Sequence, residues 1–332
     1  MHPFLRFPLA PSLLCHQLTS NRSSQFLQTS FITSPKTRSA GTTSKGIGKT
    51  KDMSSSEPAT KKQKTQEYVL YYWPGIPGRG EYVRLAFERS GTPYTEFNDG
   101  SKLLGILTNP KKVGHPTHFA PPALKLPSGR FISQTPAILN YLAPRLGLAG
   151  EKWVKISEKQ KEGEKVEVGS EEYEGAEEER STVNQLVLTA LDLCNETHDV
   201  HHPVATEDYY EDQKDVSLRR AVSYRKNRLP KFLAHFERVL DCNPENKNGN
   251  TYLVGSRTTN ADLVLFHVVS GVEFAFPIRV AALRKSGKYD KVFALKERIE
   301  NEGGIKEYIE SGRRQPFSMG LFRHYEELDA EE

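Results

Sequence analysis

Acidic side chains are missing from the start of this sequence: from Met1 to Lys51 there is no aspartate or glutamate, and Asp52 is the first. Arginine, lysine, serine and threonine are plentiful in the same stretch. That acid-free, cationic composition is what a mitochondrial transit peptide looks like. Met53 opens MSSSEPATKKQKTQ, which serves equally as an ordinary cytosolic start, and composition decides for neither. The KKQK run has the composition of a nuclear signal, yet a short basic run in a polar tail is more simply a solvated one. Cysteine is scarce as well: Cys15, Cys194 and Cys242 lie far apart, with no CxxC and no Cys/His zinc spacing. This excludes a disulfide framework and fits a reducing compartment. No apolar run approaches the length a bilayer requires, so no membrane is expected. A large charge of one sign is also lacking: 46 Lys and Arg against 42 Asp and Glu leave +4, which argues against a nucleic-acid surface.

A chain of 332 residues has room for two domains and polar ends. YVLYYW, from Tyr68, is aromatic and apolar on both alternating faces, as a strand covered on both sides would be. From Gly78 to Ser90, Tyr82, Val83, Ala86 and Phe87 recur at helical spacing, with Gly91 as a stop. PPALKLPSGRFIS reads as a hairpin turning at Pro127-Ser128-Gly129, and QTPAILNYLAPRLG as a helix ending before Gly147. Residues 67–148 therefore make a small α/β domain, behind a tail or transit peptide over 1–66. Residues 155–180 hold ten acids, five bases and three glycines in 26 positions, which predicts an exposed linker or insertion over 149–181. Apolar spacing of three and four through VNQLVLTALDL, LPKFLAHFERVL, ADLVLFHVVSGVEF and VFALKERI predicts an all-helical domain over 182–322. An acidic tail follows at 323–332.

The glycines of GIPGRG invite a phosphate-cradle reading, but neither the Lys-Ser/Thr end of a P-loop nor GxGxxG is present. They suit a sharp strand-to-helix reversal and a close approach of backbone instead. Pro121-Pro122 ahead of an apolar strand predicts a cis peptide at a surface edge, where neighbouring backbone groups stay open to an extended ligand. Gln134 and Thr135 stand at the start of a helix, whose free N–H groups and dipole suit a carboxylate. Together these describe a seat for a short peptide with an acidic end. His198, Asp199, His201 and His202 are the one cluster of metal-ligand residue types; with no second ligand group and Pro203 next, they read as a solvated helix end, and no metal is expected.

YVLYYWPGIPGRGEYVR resembles the first strand and helix of the tyrosine-type (sigma/pi-like) cytosolic glutathione transferases, with Gly78-Arg79, Glu81 and Arg84 matching GRxExxR. PPALKLPSGRFISQTPAIL is similar to the family's proline turn, hairpin and Gln-Ser/Thr segment, and YLVGSRTTNADLVLF to its helical-domain capping box, with Thr259 and Asp262. The resemblance covers about residues 68–320 and implies a thioredoxin-like domain followed by a helical one, a homodimer, and glutathione as co-substrate. It implies a cytoplasmic transferase acting in detoxification, or a mitochondrial one if the chain from Met1 is made. The site residues it implies are Tyr72, Trp73, Arg79, Pro122, Ala123, Gln134 and Thr135, with Tyr72 and Arg79 catalytic. The sequence departs from the pattern in a longer loop between Tyr72 and Arg79, and the family's tryptophan and lysine are not recognisable between Thr92 and His118. Lys102, Lys111 and Lys112 stay open as partners of the glycyl carboxylate. Glu196 or Asp199 is implied to reach the glutathione amine across the dimer interface, and Tyr209 and Tyr210 to wall the electrophile pocket.

Successive strand residues face opposite sides, so Tyr71 and Tyr72 cannot both serve one site. The resemblance selects Tyr72, which is followed by Trp73-Pro74, and leaves Tyr71 to the core. A phenol donating to sulfur favours the thiolate, the form that attacks an electrophilic carbon. Trp73, Pro74 and Gly75 stand where a redox cysteine pair would, so dithiol exchange is not expected. The alternatives are a non-catalytic scaffold of the same fold used for interaction or regulation, or a glutathione-dependent isomerase or peroxidase.

Overall fold

The computed structural model describes residues 67–247 and 249–332, so the expectations for residues 1–66 lie outside it. β1 (Tyr68–Tyr71) runs parallel to β2 (Tyr94–Phe97), pairing Tyr68 with Tyr94 and Tyr71 with Phe97. On its other edge β1 is antiparallel to β3 (Ala123–Lys125), which pairs with β4 (Phe131–Ser133) to give the order β2-β1-β3-β4. The alternation of YVLYY divides the sheet's faces. Leu70 and Tyr72 pack with Val83, Phe87, Leu124, Ile138 and Leu142. Tyr71 packs on the opposite side against Leu103, Leu107, Val113 and Ala123.

The first face is covered by α1 (Glu81–Ser90) and α4 (Thr135–Leu142). α1 stops at Gly91, whose φ of 65° is the left-handed conformation that glycine adopts without strain. The second face is covered by α2 (Gly100–Leu107) and α3 (Pro110–Val113). Asp99 and Asn109 cap these two helices, accepting from the amides of Ser101 and Lys111.

This thioredoxin-like α/β domain is followed by an all-helical one: α5 (Glu151–Lys161), α6 (Glu171–His201), α7 (Lys214–Ser223), α8 (Leu229–Cys242), α9 (Asn260–Ala275), α10 (Pro277–Lys285), α11 (Asp290–Glu300) and α12 (Gly303–Glu310). α9 is buried over most of its length and packs in the core with Leu186, Val187, Leu193 and Phe236. Its start is the expected capping box: Asp262 accepts from the Thr259 amide at 2.8 Å, and the Thr259 side chain returns the favour to the first turn. Among the described residues no single helix is long and apolar enough to cross a membrane.

Two expectations change. Residues 149–181 are largely helical: 151–161 form α5 and 171–181 the first turns of α6, with 149–150 and 162–170 outside them. A few apolar side chains suffice to seat them, namely fully buried Ile156 and Ala176 and the edge-to-face pair Trp153–Tyr173 at 5.8 Å. The charges are used on the outer faces, as in Lys155–Glu151 and Lys159–Glu172. Residues 323–332 are not a free tail. Asp329 accepts from the Ile278 and Arg279 amides at 2.7 and 3.0 Å, satisfying the amino end of α10, and Arg225 binds the Glu332 carbonyl at 2.9 Å.

Candidate active site

At the end of β1 the backbone must turn over the tyrosine that follows it. The Tyr72 amide still extends the sheet, donating to the Phe97 carbonyl at 3.1 Å. Its ring lies under the turn Gly78–Gly80, and the Arg79 amide donates to its hydroxyl at 2.6 Å. The glycines are steric requirements. A Cβ at Gly78 would stand 2.2 Å from the phenolic oxygen, and one at Gly80 would stand 2.6 Å from the ring. Gly78 also holds a φ of 46°. The ring is 5% exposed. Burial raises its pKa above the usual phenol value, and the Arg79 amide and guanidinium pull the other way, so the phenol remains protonated at neutral pH. Its oxygen accepts from Arg79, and its own hydrogen is left to donate.

Arg79 links this tyrosine to the rest of the site. Its guanidinium donates to the Asn195 side chain of α6 at 2.6 Å, and its carbonyl accepts from the Thr135 hydroxyl at 3.4 Å. Arg79 also borders a cleft of about 390 Å³, with Phe119, Ala120, Pro121, Pro122, Gln134, Thr135 and Pro136 on the α/β side. Leu188, Leu191, Asp192 and Asn195 of α6 form the other wall. The Pro121-Pro122 peptide is cis, as is His115-Pro116. Gln134 sits at φ 71°, the one non-glycine positive φ among the described residues. A left-handed residue that is not glycine costs about 1–2 kcal/mol, and such strain gathers where a backbone is held for a ligand.

Known proteins resemble the chain over about three quarters of its length. Residues 198–312 match the family described as glutathione S-transferase, C-terminal domain. Glutathione S-transferase of Plasmodium falciparum is 24% identical over 244 residues, spanning 73% of this chain and 94% of that protein. Glutathione S-transferase alpha-3 of Rattus norvegicus is 26% identical over 249 residues, 75% of this chain and 91% of that protein. The solved pi-class glutathione S-transferase of Onchocerca volvulus has the same fold, with a TM-score of 0.50 at 21% identity over 74% of this chain and 94% of that one. The chain is similar to glutathione S-transferases, through the family model over residues 198–312 and through relatives that span about three quarters of its length.

Of the seven site residues that the resemblance implied, the structure brings Arg79, Pro122, Gln134 and Thr135 to the cleft wall. Tyr72, Trp73 and Ala123 do not line it. Tyr72 is buried in the core of the sheet, and its hydroxyl meets the cleft lining only indirectly, by accepting from the amide of Arg79. Trp73 is half-buried and packs against both hydrophobic clusters of the sheet. Ala123 is fully buried, paired with Tyr71 and Ser133 of the adjoining strands.

The other expectations also shift. None of Lys102, Lys111 and Lys112 lines the cleft, and Lys102 is paired with Asp99 at 2.6 Å. Glu196 is taken by Arg228 at 2.6 Å and Asp199 by Arg220 at 3.2 Å; the carboxylate facing the cleft is Asp192, one turn earlier. Tyr210 is buried and stacked on Tyr325 at 3.8 Å, and Tyr209 points to solvent, so neither walls this cleft. The histidine cluster is not solvated, since His201 and His202 are buried. Spacing carried the missed signal: Leu188, Leu191, Asp192 and Asn195 recur at three and four and share one helical face.

Proposed function

We propose that this protein is a glutathione transferase of the tyrosine type, conjugating the thiolate of glutathione to small electrophiles. One observation carries the reading: a protonated phenol with a spare hydrogen is fixed by the backbone amide of a cleft arginine. In this reading the γ-glutamyl carboxylate lies at the amino end of α4, against Gln134 and Thr135, where free N–H groups and the helix dipole favour an anion. Asp192 balances the α-amino group, the peptide runs along Ala120 to Pro122, and the thiol is directed toward Tyr72 and Arg79.

A free thiol has a pKa of about 8.5, so only about a few per cent is ionised at neutral pH. Tyr72 donates its hydrogen to the sulfur, and the Arg79 guanidinium adds positive potential. Both stabilise the thiolate, and the thiol proton passes to solvent. The sulfur lone pair then forms a bond to the electrophilic carbon, and the leaving group departs with its electron pair. The apolar rim of Phe119, which is 90% exposed, and Leu188, 44% exposed, supports association of two chains beside this cleft. A cytoplasmic location fits this chemistry, or a mitochondrial one if residues 1–51 direct import.

The burial of Tyr72 favours a second reading, a glutathione-binding protein without turnover. The test is retention on immobilised glutathione together with glutathione-dependent consumption of an activated aryl halide. Binding with turnover supports the first reading, binding without it the second, and no binding contradicts both. An isomerase or peroxidase use of the same site would show as turnover of carbonyl or hydroperoxide substrates in preference to the halide.

A further inference from the structure

We propose that His198, His201 and His202 form a site for one late first-row divalent metal ion, of which zinc is the first candidate, at the carboxyl end of α6. His198 and His201 are three apart in the helix and share a face, and His202 follows at its end. The rings pack in a triangle, with centroids 4.9, 5.3 and 4.7 Å apart. One ring nitrogen from each lies within 4.8 Å of the others, the sole such group of metal-ligand types among the described residues.

Hydrogen bonding orients the lone pairs. The Nε2–H of His201 donates to the Leu321 carbonyl at 3.2 Å, which leaves the lone pair on Nδ1. That Nδ1 stands 2.5 Å from Nδ1 of His202. Without an ion, the Nδ1–H of neutral His202 donates to this lone pair; with one, both nitrogens turn their lone pairs to the metal and move apart. Nδ1 of His198 faces the Asp199 carboxylate at 3.3 Å, which leaves Nε2 as its ligand atom.

Backbone carbonyl and carboxylate partners of this kind fix ligand rings in metal sites. A tetrahedral zinc, bonded to nitrogen at about 2.0–2.1 Å, would hold ligand nitrogens about 3.3 Å apart, a spacing that small side-chain rotations supply here. Imidazole suits zinc, copper and nickel, and three protein nitrogens leave a position for water. The negative end of the α6 dipole favours a cation at this place. Arg323 acts on all three rings and opposes one. None of the three histidines lines the cleft, so the ion's effect is to fix the rings at the end of α6, including His201, whose Nε2–H holds the Leu321 carbonyl.

The test uses the whole chain, stripped with a chelator and titrated with cobalt(II), which reports its ligands by visible absorption, and then with zinc as a competitor. One cobalt per chain is expected, displaced by zinc, with a rise in melting temperature. His201→Gln should weaken binding about 10-fold or more. Arg323→Gln should tighten it severalfold, and His235→Gln, outside the cluster, should leave it unchanged. If His201→Gln fails to fold, His198→Gln, at the half-buried corner, carries the same expectation. Absence of stoichiometric cobalt uptake by the parent, or uptake unchanged in the cluster variants, overturns the proposal and leaves a proton as the bridge between His201 and His202.

Discussion

The Arg79 amide donates to the Tyr72 hydroxyl at 2.6 Å, and this bond joins the end of β1 to the first wall of the cleft. A phenol one residue past the strand, covered by a turn of two glycines, is set in place by backbone and not by a flexible side chain. The catalytic account depends on that placement, and the turn that imposes it can be perturbed without touching the tyrosine.

Gly78→Ala should lose both stability and activity. The new methyl meets the phenolic oxygen at 2.2 Å, in a backbone with φ of 46°. Together these should cost about 2 kcal/mol or more. Gly75→Ala is the control: its φ of 72° is similarly strained, but nothing lies within 4 Å of the added atom. It should lose about 1 kcal/mol and keep its activity. Urea midpoints and kcat/KM for both variants check this.

Glu81→Ala should loosen the two domains from each other. Fully buried Glu81 accepts from Arg84 at 3.2 Å and Arg314 at 3.1 Å, and from the Tyr308 hydroxyl at 3.2 Å. Removing one member of a buried charged group costs about 3–5 kcal/mol, and Arg84 keeps Glu96, so the low end is expected. A loss below about 0.5 kcal/mol in chemical denaturation, the size of a surface substitution, would contradict the role.

His267 should make the fold weaker in mild acid. Burial, and then Arg314 and Arg84, hold its folded pKa well below the usual 6.5. Between the folded and unfolded values the unfolded chain binds a proton that the folded chain refuses. Stability due to this group is therefore complete above about pH 6.5 and falls as the pH drops below it. His267→Phe, packed by Tyr82 and Phe317, should flatten that slope in urea denaturation across the window.

Phe119→Asp should reduce self-association. The side chain is 90% exposed at the rim of the cleft, and a carboxylate there opposes burial against a second chain. Sedimentation should show a dimer for the parent and a larger monomer fraction for the variant. Equal dimer content in the two would contradict placement of the interface at this rim.

Local spacing made the strand, the glycine turn, the hairpin and the capping box legible, because each is decided within a few residues. The glycines of GIPGRG were legible as a close approach, though not as an approach to Tyr72 itself, which the turn meets seven residues further on. Charge concealed α5, since its seat consists of little more than Ile156 and the Trp153–Tyr173 pair. Asp192 and Asn195 lie on a 31-residue helix whose face toward the cleft is set by packing on α9 and α4. The positive φ of Gln134 leaves no mark on composition. The histidines are buried by partners about 120 residues away, Leu321 and Tyr325, which no local pattern announces.

The most direct test of the central claim is the pH dependence of glutathione conjugation in Tyr72→Phe, beside Tyr71→Phe. Tyr71 stacks on Phe97 at 4.9 Å on the other face of the sheet, so its variant should keep the parent profile and lose stability. Tyr72→Phe should lose most of the activity at neutral pH and regain it only as the pH rises toward the free thiol value of about 8.5. Parent-like activity and an unshifted profile in Tyr72→Phe would contradict the account.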